Sequence, residues 1–310
     1  MGEADYTSAP MAPPKIAVFG VPSAAGARGP GMERAAFALR EAGLLPALSR
    51  HARVVNLSDL SLFPWRDDPE HPRARNAAVA ACAARAAGDE MTRALQEGFT
   101  IVIGGDCALL PGTAGGTRRA VGREIGLVHV DANADLNTPA TTPSGQLDGM
   151  ALALALGRGL PELTGAGGPP PAVRPEHVAL VGFRELDPGE VAPARELALA
   201  LSADDVRARG VRGAAEVALA AIRNRDGPVF VHFDVDVLDP DAMPAKDTFT
   251  PGRGLEWVEV QTLLTTLVGS PRVVALEVCE FNPSKDVAGH AARRLVELLD
   301  HVVAARVASA

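Results

Sequence analysis

The chain has 310 residues, enough for one large α/β domain or two smaller ones, and 47% of them are hydrophobic, so a sizeable core is available. A net charge of −8 with no basic run argues against nucleic acid or an anionic membrane as partner, and no stretch is long and apolar enough to cross a bilayer. Three widely spaced cysteines, Cys82, Cys107 and Cys279, form no pairing motif and suit the reducing cytoplasm better than a disulfide framework.

Residues 1–14 read as a Pro-rich disordered tail without the apolar segment of a secretory signal. Residues 15–310 show no composition break and no internal repeat, and read as a single domain. KIAVFGVP predicts a first strand, followed by the Gly-rich loop SAAGARGPGM and a helix, ERAAFALREAGLL. HARVVNLSDL predicts a second strand with its turn, RNAAVAACAARAAGDEMTRALQEG a long Ala-rich helix, and FTIVIGG a third strand. GTRRAVGREI predicts a helix, IGLVHVDA a strand, residues 149–157 a helix, and LPELTGAGGPPPAVRPEH a Pro/Gly loop. HVALVGFR reads as a strand, and residues 191–209 have helical character. GAAEVALAAIRNR predicts a helix, GPVFVHFDVD a strand, LEWVEVQTLLTTL a helix, RVVALEVCEF a strand, and residues 288–305 a last helix.

Apolar strands alternating with amphipathic helices predict a three-layer α/β/α fold around a mostly parallel central sheet. In such sheets the site lies beyond the carboxyl ends of the strands. IGGDC, VDANAD, HFDVDVLDP and CEFNP all sit at such ends. Asp131 and Asp135 span the turn that leaves one strand; Asp234 and Asp236 alternate with Val235, so both carboxylates point to one face of another. Four carboxylates in one compact site repel one another unless cations offset the charge, and they suit two divalent ions that clamp and activate a water.

DANADLNTPATTPSGQLDGM, VGFRELDPGE and EVCEFNP carry a resemblance to the ureohydrolase family, the arginases, agmatinases and their relatives, extending over roughly Lys15 to Val303. The resemblance implies an arginase-like fold, two Mn²⁺ ions per subunit and hydrolysis of a guanidino group. It implies that Asp131 and Asp234 bridge both ions, Asp135 binds one of them, and Asp236 binds the other. Glu280 matches the carboxylate that pairs with the substrate guanidinium. Asn137 and Ser144 match residues that hold an α-carboxylate, Asp187 and Glu190 match acids near an α-amino group, and Thr142 matches another residue of that pocket. These matches imply an α-amino-acid substrate in preference to a decarboxylated one. Asn137, Thr142 and Ser144 could equally satisfy turn backbone, Asp187 could be a turn residue, and Asp106 could support a metal ligand.

Three histidines that mark this family are replaced. Cys107 and Asn133 stand where metal-binding histidines are expected, and Asp148 stands where arginases carry a histidine thought to shuttle protons. Cys thiolate and Asn amide oxygen are usable ligands, which places Cys107, Asp131, Asn133, Asp135, Asp234 and Asp236 around the ions; the thiolate suits Zn²⁺ or Fe²⁺ as well as Mn²⁺. His129 and His232 lie two residues before metal aspartates; they could approach the site, but strand packing is the favoured reading. Cys107 with Asp148 is similar to the pattern of the Nω-hydroxy-L-arginine hydrolase that serves D-cycloserine biosynthesis. That narrower resemblance implies a cytoplasmic enzyme, monomeric where arginases are commonly trimers, that converts Nω-hydroxy-L-arginine to hydroxyurea and L-ornithine, with Glu280, Asp135 and Asp148 in catalytic roles. An arginase or another guanidino-acid amidinohydrolase, and a catalytically silent relative, are the competing readings. A nucleotide-binding βα turn is disfavoured, because SAAGARGPGM does not read G-x-G-x-x-G.

Overall fold

A computed structural model describes residues 14–246, 250 and 253–309; the expected tail, apart from Pro14, lies outside them. Eight strands form one parallel sheet: β1 Lys15–Gly20, β2 Arg53–Asn56, β3 Phe99–Ile103, β4 Gly126–Val130, β5 Val178–Phe183, β6 Leu199–Ser202, β7 Val229–Asp234 and β8 Val273–Cys279. Their order is β2-β1-β3-β8-β7-β4-β5-β6. Every residue of β3, β4 and β7 is buried, which is why these strands read as apolar runs without alternation, whereas the edge strand β2 is partly exposed.

Helices cover both faces, as the strand–helix alternation predicts. Alternate strand residues divide between two apolar clusters. Leu127 and Phe230 join the cluster under the helices Ala77–Ala94 and Leu110–Val121, whereas Val128, Val130, Val231 and Phe233 join that under Trp257–Gly269 and His290–Ala308. His129 and His232 therefore point to the same face as Leu127 and Phe230. Glu277, flanked by Leu276 and Val278, points there too.

Two expectations change. The stretch 191–209 is a short helix, Val191–Ala194, then the edge strand β6, then the helix Ala203–Arg209. Alanine-rich composition conceals the period-two leucines Leu199 and Leu201. The break is marked at Ser202, whose hydroxyl accepts from the Asp205 amide while the Asp205 carboxylate accepts from the Ser202 amide, a reciprocal helix start. The helix expected over 116–125 begins at Leu110 and ends at Val121, where Gly122 takes a left-handed φ of 66° that a side chain would resist.

No helix among the described residues is long and apolar enough to cross a membrane. The four strands adjacent at the centre, β3, β8, β7 and β4, are those whose carboxyl ends carry IGGDC, CEFNP, HFDVDVLDP and VDANAD. Sheet order thus brings together segments separated by as much as 173 positions in sequence.

Candidate metal centre

The turn after β4 begins at Asp131, whose amide still bonds to Val181 of β5. Its Oδ1 accepts from the Asn133 amide at 2.6 Å, closing a short turn that brings Asp135 back over the strand end. Asp135 adopts a φ of 53°, a left-handed conformation that aspartate tolerates better than most residues. The strand β7 ends at Asp234 itself, and residues 235–237 form a 3₁₀ turn. Asp234 Oδ1 accepts from the Asp236 amide at 2.6 Å. Turn geometry, rather than the strand alternation expected from sequence, is what turns Asp236 toward the others.

β3 runs into Gly104 and Gly105, where the backbone passes so close to Ser23 that a Cβ on Gly105 would lie 1.5 Å from the Ser23 carbonyl oxygen. Asp106 caps the next turn by accepting from Ala108 N, and its other oxygen takes the Ser23 hydroxyl at 3.0 Å. The capped turn carries Cys107, whose Sγ lies 3.3 Å from Asp234 Oδ2 and 3.2 Å from His232 Nε2. The Cys107 amide donates to Glu280 Oε1 at 3.0 Å, and Glu280, at a φ of 68°, leaves Oε2 without a hydrogen-bond partner among the described residues. Both strained residues, Asp135 and Glu280, are thus held at the site by sheet and turn contacts.

Ligand atoms of Asp131, Asp234 and Asp236 lie within 4.8 Å of one another, as do those of Cys107, Asp131 and Asp135, and of Cys107, Asp234 and Glu280. Burial pushes the carboxyls of Asp135, Asp234 and Glu280 well above the usual range, helped by the charge of their neighbours, and raises Asp236 to about 7. Burial also pushes Asp131 upward, but His129, the Asn133 amide and His232 together outweigh it and leave this carboxyl below its ordinary value. Burial drives the Cys107 thiol well up. The nearby cations Lys246 and Arg184 offset only part of the crowding at Asp236, whose carboxyl stays raised. Lys246 Nζ bonds the carbonyl oxygens of Asp236 and Leu238, and Arg184 bonds those of Thr250, Asp236 and Leu238. A dense set of carboxylate oxygens, with the sulfurs of Cys107 and Cys279 and the nitrogens of His129 and His232 beside it, fits divalent cations.

Asn133 presents its amide nitrogen to Asp236 Oδ2 at 2.8 Å and its oxygen to the Thr250 hydroxyl at 3.1 Å. In this orientation it clips Asp236 in place; a flip of the amide would turn the oxygen toward the carboxylate cluster instead.

Above the cluster opens a cavity of about 320 Å³ lined by Asn133, Asp135, Asn137, Thr142, Ser144, Asp148, Asp187, Asp234, Asp236 and Glu280. Nearly all the site residues expected from sequence meet there. Cys107 and Asp131 lie beneath it, fully buried. Glu190 does not line it: its two oxygens accept from the Leu136 and Asp187 amides, both at 2.9 Å, tying one wall to the other. Asn137 Nδ2 donates to Asp187 Oδ2 at 2.7 Å, and its Oδ1 is buried without a partner. Thr142 Oγ1 accepts from the Gly145 and Ser144 amides, and Ser144 Oγ from Gln146, so both hydroxyls also serve the turn. Asp148 Oδ1 accepts from Gly149 N at 2.7 Å.

Sequence points to His129 and His232 but not to Glu277 or to the layer the three residues form. His129, His232 and Glu277 are register partners across β4, β7 and β8. The two imidazoles stack at 4.7 Å with a 4° interplanar angle, and His232 Nδ1 bonds Glu277 Oε2 at 2.7 Å. The histidines pack, as expected, but they also border the carboxylates. A glutamate in the middle of the apolar run VVALEVC was the available signal.

The known proteins that this chain resembles share these features of architecture. The family model for the arginase family matches residues 14–304. The arginase of Bacillus caldovelox is 32% identical over 289 residues, covering 92% of this chain and 96% of the relative. Human mitochondrial arginase-2 is 30% identical over 297 residues, covering 93% and 83%. The solved structure of the B. caldovelox arginase superposes with a TM-score of 0.85 at 31% identity, over 94% of this chain and 98% of that one. The parallel eight-stranded sheet and the match along nearly its whole length place this chain in the arginase family, as a hydrolase of carbon–nitrogen bonds in amidines.

Proposed function

We propose that the protein hydrolyses the guanidino group of Nω-hydroxy-L-arginine, giving hydroxyurea and L-ornithine, with two Mn²⁺ ions held among Asp131, Asp135, Asp234, Asp236 and Cys107. The observation that carries this reading is the two-ended cavity. Metal-ligating carboxylates and Glu280 form one end, and Asn137, Thr142, Ser144 and Asp187 form the other. Such a cavity takes a molecule with a planar nitrogen-rich head and a polar amino-acid tail. When bound, the ions supply Lewis acidity and lower the pKa of a water so that it becomes a nucleophile at neutral pH.

The chain's own groups do the rest. Glu280 has one oxygen fixed by the Cys107 amide and one free, so it can pair with guanidino N–H groups and hold the central carbon over the carboxylate floor. Burial favours its neutral form, and a partner carrying positive charge or N–H donors draws it toward the carboxylate. Water adds its oxygen to the guanidino carbon, the bond from that carbon to the δ-nitrogen breaks, and the nitrogen leaves as the ornithine amine with an added proton. That proton separates the candidate substrates. Asp148 lies in the cavity where arginases carry a histidine, and a carboxyl is ordinarily a poor proton donor at neutral pH. An N-hydroxyguanidine is much less basic than a guanidine and brings a mobile proton of its own, which relaxes the demand on Asp148.

The test is to incubate Mn²⁺-loaded protein with L-arginine and with Nω-hydroxy-L-arginine in parallel and to measure ornithine. Ornithine from the hydroxylated substrate alone supports the proposal. Ornithine from arginine at comparable rate makes the protein an arginase and overturns the role given to Asp148.

A further inference from the structure

We propose that His129, from inside β4, is a ligand of the deeper ion and supplies the nitrogen donor that the replaced loop histidines would have given. The inference rests on the metal-centre reading and adds a residue that lies outside the loop motifs.

His129 is 0% exposed, and neither ring nitrogen has a hydrogen-bond partner among the described residues. Its Nε2 nevertheless lies 3.0 Å from Asp131 Oδ2 and 3.7 Å from Asp135 Oδ2. Asp131 Oδ2 is likewise buried without a hydrogen-bond partner. Two polar atoms at hydrogen-bond distance that make no hydrogen bond are misaligned: the oxygen lies off the axis of the ring N–H. Two ligands of one ion show this relation. Each donor then aims its lone pair at the ion they would share and not at the other donor. Ligand atoms of His129, Asp131 and His232 all fall within 4.8 Å of one another, and Asp131 is shared with the group of Cys107 and Asp135.

Orientation of the ring is set from below. His129 Nδ1 has no partner to fix the tautomer. The ring is instead stacked on His232, which Glu277 and Cys107 hold from its two nitrogens at 2.7 Å and 3.2 Å. Parallel strand pairing makes this possible: residues two apart on β4 share a face, so His129 sits one pleat beneath Asp131.

The test combines ion counting with X-ray absorption at the metal edge on Mn²⁺-loaded protein, for the wild type and His129→Phe, which keeps an aromatic ring in the stack. The wild type should hold two ions per chain and show the outer-shell scattering of bound imidazole. The variant should lose that scattering and retain about one ion. Two ions without imidazole scattering in the wild type would overturn the role of His129 and leave the metal centre standing. So would a variant with both ions and undiminished scattering. A wild type that binds no ion would bring down the metal-centre reading and this inference together. Should that variant fail to fold, His232→Phe separates the two imidazoles: scattering that persists in it supports His129, and scattering that is lost in it overturns the role of His129.

Discussion

The two ends of the cavity are built by opposite means. The floor consists of carboxylates fixed at strand ends, buried, and crowded until several shift far from their ordinary protonation. The wall opposite is a loop, residues 137–148, whose polar atoms are largely used to hold its own turns. A floor of this kind stores unfavourable electrostatics that a bound cation relieves; a wall of this kind is already satisfied and contributes selectivity through the few atoms it has left over. Substitutions in the floor should therefore abolish activity, and substitutions in the wall should shift substrate affinity.

The largest effect is expected at Asp234, which neighbours Asp131, Asp236, Cys107 and Glu280 at once. Asp234→Asn should lower kcat/KM by about a thousandfold or more, because in the proposed metal centre it removes a shared ligand and with it the several kcal/mol an ion contributes to the transition state. Elemental analysis should show fewer than two ions per chain. Glu280→Gln separates metal binding from substrate orientation. It should keep both ions and lose about a hundredfold in kcat/KM, since the amide keeps the shape but lacks the charge for a guanidino partner. Loss of metal in that variant would make Glu280 part of the ion shell.

The floor also predicts a pH dependence of the metal-free protein. Asp236, Asp135, Asp234 and Glu280 all have folded values above their ordinary ones, so these four groups bind more protons in the folded chain than in the unfolded chain, for Asp236 between about 3.8 and about 7. Stability contributed by these protonated groups is present at low pH and is lost as pH rises through their folded values. Asp131, lowered, works in the opposite sense but is one against four. The melting temperature after chelation should therefore be higher near pH 5 than near pH 8. Saturating Mn²⁺ should raise it most near pH 8, where ions replace protons as the compensating charge. A chelated protein equally stable at both values would show that the floor carries no such strain.

Between floor and wall stands Glu190, which sequence comparison suggests is a substrate contact but which spends both oxygens on the amides of Leu136 and Asp187. Glu190→Gln leaves one buried amide facing a donor. It should cost about 1–3 kcal/mol of stability, read as a fall in melting temperature, with a rise in KM as Asp187 shifts.

How much of this was legible without coordinates follows from the same contrast. Strand ends and their carboxylates were legible because burial on both faces writes a strand as an apolar run and a charge ends it conspicuously, as at VHVDANAD and VFVHFDVD. Where the strand is at the edge and half exposed, as in β6, alanine and leucine fit helix and strand equally, and only the sheet decides. The layer of His129, His232 and Glu277 was half legible: alternation places each histidine beneath an aspartate, but pairing across three strands is fixed by register, which no local pattern states. Asn133 lines the cavity and Glu190 lies behind its wall, and which atoms each presents depends on loop conformation.

The smallest effect belongs to the wall and tests whether it selects an amino acid at all. Ser144 Oγ accepts from Gln146 N and stands 3.5 Å from Thr142 Oγ1, so its hydroxyl proton can be turned to the cavity and given to a carboxylate. Ser144→Ala removes that donor and leaves the floor intact. It should raise KM for Nω-hydroxy-L-arginine about tenfold, the loss of one hydrogen bond to a charged group, while kcat stays near its original value. The analogue lacking the α-carboxylate should be a poor substrate for the wild type and no poorer for the variant. If both substrates lose equally, Ser144 acts only by holding its turn, and discrimination for amino acids must lie with Asn137 and Asp187, the pair whose hydrogen bond leaves Asn137 Oδ1 facing no protein donor.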